Sequence, residues 1–122
     1  MTTVYLVRHA EPFKIHRGIE DVNESILFSN IKSPLSINGE HFAEKISTNI
    51  EFDNLDVVWS SNYVRTMSTA KYFAYRNNLK VNVSDKLGER IHGINSWDEL
   101  PSDFEVHQFK DKNYKLPNGE SR

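Results

Sequence analysis

Residues 4–10, Val-Tyr-Leu-Val-Arg-His-Ala, constrain this chain more than any other stretch. Four apolar residues, Val4 to Val7, give way abruptly to Arg8, His9, Ala10, Glu11 and Pro12. A short apolar run without polar alternation predicts a buried strand, over about residues 3–8. In an open α/β sheet, ligands bind just beyond the carboxyl ends of strands. An arginine beside a histidine at that point suits phosphate. The guanidinium offers a planar fork of donors, and an imidazole is largely neutral, hence nucleophilic, near pH 7. By itself the pair also fits an ordinary strand end where polar residues meet water.

A second stretch has the same form. Leu55 to Ser60 reads as a strand, and Ser60 and Ser61 offer an N-cap. Val64, Met67, Ala70 and Ala74 then recur at helical spacing, which predicts a helix over residues 62–77, with Asn77-Asn78 as its stop. Arg65 falls in the first turn of that helix. A cation there opposes the helix dipole, so a bound anion would account for it; a solvated surface arginine is the alternative. Residues 81–84 predict a third strand. The strand-helix-strand unit from Leu55 to Ser84 predicts parallel pairing with a right-handed crossover. An earlier helix is predicted from Ser36 to about Ile50, burying Phe42, Ala43, Ile46 and Ile50. Residues 11–35 form a polar connection too long to be structureless throughout. Residues 95–122, with Trp97, Phe104, Phe109 and Tyr114, carry no assignable period.

Composition narrows the class. A chain of 122 residues fits one domain. Its net charge of −2 gives no bulk attraction for nucleic acid or an anionic membrane, so any phosphate affinity is local. The absence of cysteine excludes disulfides and thiolate catalysis. No basic, apolar leader opens the chain, and no run approaches the about 20 apolar residues of a membrane span, so a cytoplasmic protein is expected. There is no glycine-rich phosphate loop ending in Lys and Ser or Thr, and no histidine pair at metal-ligand spacing. No metal or cofactor is therefore expected.

Taken together, the segments resemble the histidine phosphatase superfamily, also called phosphoglycerate mutase-like. Arg8-His9-Ala10 resembles its signature, and Pro34-Leu35-Ser36-Ile37-Asn38-Gly39 the opening of its first helix. Ser60-Ser61 through Arg65 to Thr69-Ala70 resembles its second motif, although Ser68 stands where the family usually has Gln. Leu87-Gly88-Glu89-Arg90-Ile91-His92-Gly93 resembles the acidic third motif, and Pro117-Asn118-Gly119-Glu120-Ser121 a later Gly-Glu-Ser segment. A lone Arg-His pair is a weak signal, but these matches fall in the family's order from end to end.

The resemblance implies an α/β fold, a mostly parallel sheet with flanking helices. Residues 1–122 would be the N-terminal part of a single histidine phosphatase-like domain, incomplete at the C-terminus. Family members continue to a strand ending in a second catalytic histidine, whereas this sequence ends at Arg122. An open sheet edge that invites self-association follows from that expectation. The implied roles are His9 as nucleophile, Arg8 and Arg65 as phosphate ligands, and Glu89 as general acid and base. The implied substrate is a small phosphorylated metabolite, with hydrolysis favoured over mutase action. Two other readings remain: a catalytically inactive phosphate-binding pseudoenzyme, and an unrelated flavodoxin-like binding module.

Overall fold

A short parallel pair of strands, joined by one long helix, organises the computed structural model of the chain. The structure describes residues 1–13, 30–94 and 97–121; the predicted connection at 11–35 lies largely outside them. Strand β1 (Val58–Ser60) pairs in parallel with β2 (Val81–Val83), Val58 opposite Val81 and Ser60 opposite Val83. Three helices exceed a single 3-10 turn: α1 (Ile37–Ser47), α2 (Val64–Arg76) and α3 (Phe104–Lys110). The parallel pairing and flanking helices match the expected class. The chain divides into two compact units, one of residues 1–19 and 31–88, the other of residues 20–30 and 89–122.

In the first unit, α2 packs against both strands and against α1. Side chains alternate along β1: Val58 and Ser60 are buried, and Trp59 faces outward. The core joins Phe52, Val58, Phe73 and Ala74, with Ile46, Leu55, Ala70, Leu79 and Val81 packed around them. Phe52 meets Phe73 edge to face at 5.0 Å and Tyr5 at 5.2 Å. The end of α2 explains how the chain turns into β2. Asn78 adopts a left-handed φ of 55°. Its N–H donates to Tyr75 O, and Leu79 N–H reaches back to Ala74 O at 2.9 Å. This pair of bonds satisfies the last helical carbonyls, and Leu79 packs beside Ala74. The Asn77 side chain accepts from Leu55 N–H and donates to Phe52 O and Phe73 O, tying the preceding loop to the helix end.

Helix α1 starts as the sequence predicts. Ser36 is its N-cap and accepts from Gly39 N–H at 2.9 Å, a bond worth about 1 kcal/mol. Its buried face is narrower than expected. Ala43 is buried and Ile46 partly so, but Phe42 is exposed and Ile50, 86% exposed, lies beyond the helix in a separate 3-10 turn. Across the helices, Tyr72 donates a short hydrogen bond to Glu40, which also pairs with Lys71 at 3.0 Å. Burial works to raise the Glu40 pKa, but the Tyr72 hydroxyl and Lys71 ammonium outweigh it and hold the carboxyl below its ordinary value. The hydrogen bond to Glu40, with burial and the carboxylate charge adding to it, pushes the Tyr72 phenol up to about 12.

The first predicted strand is corrected. Residues 3–8 join no ladder among the described residues, and Val4 and Leu6 are 72% and 95% exposed. An apolar pattern proposes a strand, but a ladder needs a neighbour, and the described sheet has only β1 and β2.

Candidate functional site

The chain after this segment is fixed firmly. Ala10 is buried with Leu35 and Ala43, and Tyr72 packs against them. Pro12 bridges Leu35, Ser36 N–H donates to Glu11 O, and Phe13 N–H donates to Pro34 O. The Ser36 hydroxyl donates to the Glu11 carboxylate at 2.8 Å. Gly39 makes room for this approach, since a Cβ there would lie 2.2 Å from Glu11 O. His9 therefore precedes a stretch of backbone clamped to the start of α1.

His9 is half-buried, and its Nδ1 lies 2.8 Å from Ala10 O. A carbonyl only accepts, so this contact requires the proton on Nδ1 and leaves Nε2 of the neutral ring with its lone pair. Arg8 is exposed beside it. Arg65 is 4% exposed, which rejects the reading of a solvated surface arginine, and its guanidinium stacks over the Tyr63 ring at 4.9 Å. Thr69 connects the two motifs. Its hydroxyl accepts from Ala10 N–H at 3.0 Å and donates to Arg65 O at 2.9 Å. The residue after His9 is thus hydrogen-bonded to the face of α2 that carries Arg65, one turn further along.

The start of α2 differs from expectation. Tyr63, not Ser60 or Ser61, is the N-cap residue, and it makes no side-chain cap. Ser61 is occupied nearby: its hydroxyl shares a 2.6 Å hydrogen bond with Thr66 and accepts weakly from Tyr63 N–H. The buried face of α2 is also rotated from the predicted one. It runs through Arg65, Thr69, Phe73 and Ala74. Apolar spacing alone does not reveal Thr69, but its position four residues after Arg65 does place the two on one face.

Glu89 belongs to the second unit. It is exposed and accepts from Asn30 Nδ2 at 3.0 Å. Arg90 donates instead to Gln108 of α3, at 2.8 Å. The His92 ring meets Phe104 edge-on, and His107 stacks on Tyr114 while bonding Asp103. No group of three potential metal ligands occurs among the described residues.

Comparison with known proteins follows the same segments. The sequence profile of the histidine phosphatase superfamily (branch 1) matches residues 4–122. The chain belongs to that superfamily. Among solved structures, a mycobacterial glucosyl-3-phosphoglycerate phosphatase, determined with inorganic phosphate, aligns with a TM-score of 0.65 at 19% identity. The alignment covers 93% of this chain and 52% of that one. A putative α-ribazole-5′-P phosphatase from Escherichia coli aligns with a TM-score of 0.63 at 23% identity, covering 94% and 57%. The α-ribazole phosphatase of Shigella flexneri gives 0.62 at 22%, with the same coverage of 94% and 57%. The chain therefore spans just over half the length of these neighbours, which share its fold. No curated protein matches the chain significantly.

Proposed function

We propose that this chain carries the phosphate-handling part of a histidine phosphatase, acting on a small phosphorylated metabolite through a phosphohistidine. The observation that carries the reading is the Thr69 hydroxyl, which ties Ala10, next to His9, to the turn of α2 bearing buried Arg65. His9 Nε2 attacks phosphorus in line, and the bond to the leaving oxygen breaks as the new N–P bond forms. Arg8 and Arg65 neutralise the non-bridging oxygens. Glu89 donates a proton to the departing alkoxide and then takes one from the water that releases phosphate. The role of Glu89 rests on the family resemblance of its motif. Residues 1–122 act as part of one domain in a cytoplasmic setting, with no cofactor, and copies of the chain associate through their exposed apolar segment.

Quenching turnover of a radiolabelled phosphoester tests the reading. Acid-labile, alkali-stable label on His9, absent from His9→Ala, is the expected result; label that persists in the variant refutes it. A second reading, phosphate capture without turnover, draws on the span of 52% and 57% relative to the neighbouring enzymes. Phosphate binding that needs Arg65, with no label on His9, would select it.

A further inference from the structure

The Pro117–Ser121 motif plays no part in the chemistry above, yet its geometry in the second unit is specific. Glu120 N–H donates to Ile91 O at 2.7 Å, and Ile91 N–H donates to Glu120 Oε2 at 2.9 Å. Both backbone polar groups of Ile91 therefore end on one residue. The two segments run backbone against backbone. A Cβ on Gly93 would lie 2.3 Å from the Asn118 carbonyl carbon, and one on Gly119 2.4 Å from His92 O. Gly93 also has a φ of 77°, a region that favours glycine. A turn closed by Gly119 N–H donating to Leu116 O presents Glu120 to Ile91. Gln108 and Phe104 of α3 hold the neighbouring Arg90 and His92.

We propose that Glu120 is a positioning residue for Glu89, acting through Ile91. The inference rests on the reading of Glu89 as the proton donor. Ile91 N–H belongs to the planar peptide shared with Arg90, one residue from Glu89, so anchoring it restricts the direction of the chain at Glu89. A carboxylate accepting a backbone N–H makes a charge-assisted bond, stronger than a neutral one. Glu120 is itself exposed, where such a bond adds little to global stability. Its main consequence is orientation.

The test combines amide exchange with kinetics on an aryl phosphate. In Glu120→Ala, exchange at the Ile91 amide accelerates while the α3 amides stay protected; in Glu120→Gln, whose amide oxygen still accepts, protection returns. The kcat of Glu120→Ala falls about tenfold to a hundredfold with little change in KM, the scale expected for a misplaced catalytic group. Glu120→Ala in a Glu89→Gln background gives no further fall, because both act on one step. Unchanged exchange at Ile91, or additive falls in kcat, overturns the proposal. Full turnover by Glu89→Gln instead refutes the acid role of Glu89, and the catalytic purpose of the clamp falls with it; Ile91 exchange still reports whether the clamp exists.

Discussion

Replacing Thr69 by valine isolates one hydroxyl at the junction of the two phosphate motifs. Thr69 and Ala10 are both buried, at 6% and 8% exposure. Valine keeps the shape and the β-branch, so helix propensity and packing hardly change. Two bonds disappear, from Ala10 N–H and to Arg65 O. The Arg65 carbonyl lies inside α2, so it keeps its role in the helix ladder and loses little. The Ala10 amide loses its acceptor in a buried place, which costs about 1–3 kcal/mol. Serine is the control. It keeps the hydroxyl and loses one methyl, worth about 0.8 kcal/mol. Urea unfolding followed by circular dichroism should therefore rank wild type above Thr69→Ser, and Thr69→Ser above Thr69→Val. In a phosphatase assay, Thr69→Val should also lose activity beyond its loss of folded protein, because Ala10 adjoins His9. A valine variant at least as stable as the serine variant would refute the reasoning, since it would mean the Ala10 amide finds another partner at no cost.

Gly39→Ala should destabilise by about 1–3 kcal/mol, despite alanine's better helix propensity, because the new methyl would meet Glu11 O at 2.2 Å; a gain in thermal stability would show that the Glu11 loop yields freely. Stability should fall as pH rises from about 10 to about 12, since the folded state holds the Tyr72 proton more tightly than the unfolded chain does. Glu40 adds the opposite limb: its lowered pKa contributes stability above the ordinary carboxylate range that is lost as pH falls through the folded value. Alkaline melts of Tyr72→Phe should lack the first of these losses. Exposed Val4, Leu6 and Val7 should drive association at high concentration. Sedimentation should show Leu6→Lys shifting the chain toward monomer; unchanged association would place the contact elsewhere.

Much of the first unit was legible because its signals are local. The period of α2, the apolar runs of β1 and β2, the Ser36 cap and the Asn77-Asn78 stop each depend on a few adjacent residues. What escaped depends on partners distant in sequence. Residues 4–7 have the composition of a strand, but ladder membership is decided by a neighbour. Phe42 and Ile50 fit a helical stripe, yet the core is closed by Phe52 and Phe73 from other elements. Ser61 has the chemistry of a cap, but Thr66 engages its hydroxyl first. The Tyr72–Glu40 and Glu120–Ile91 contacts join residues 32 and 29 positions apart. The site residues were legible as chemistry, Arg8, His9, Arg65 and Glu89, whereas the groups that fix them, Thr69, Gly39 and Glu120, carry no distinctive chemistry of their own.

The buried face of α2 explains why one helix serves both core and site. Read from its C-terminal end, that face begins with Ala74 and Phe73, packed on Phe52 and Val58. One turn earlier stands Thr69, whose hydroxyl holds the backbone beside His9. One turn earlier again stands Arg65, buried in the first turn. Polarity thus rises along a single stripe toward the helix N-terminus, where the macrodipole favours an anion. Each step depends on the one behind it. Phe73 sets the rotation of the helix, that rotation turns Thr69 toward Ala10, and Thr69 fixes the chain next to His9 relative to Arg65. A substitution that trims Phe73 should consequently weaken phosphate binding as well as stability, although Phe73 packs among apolar residues two turns from Arg65.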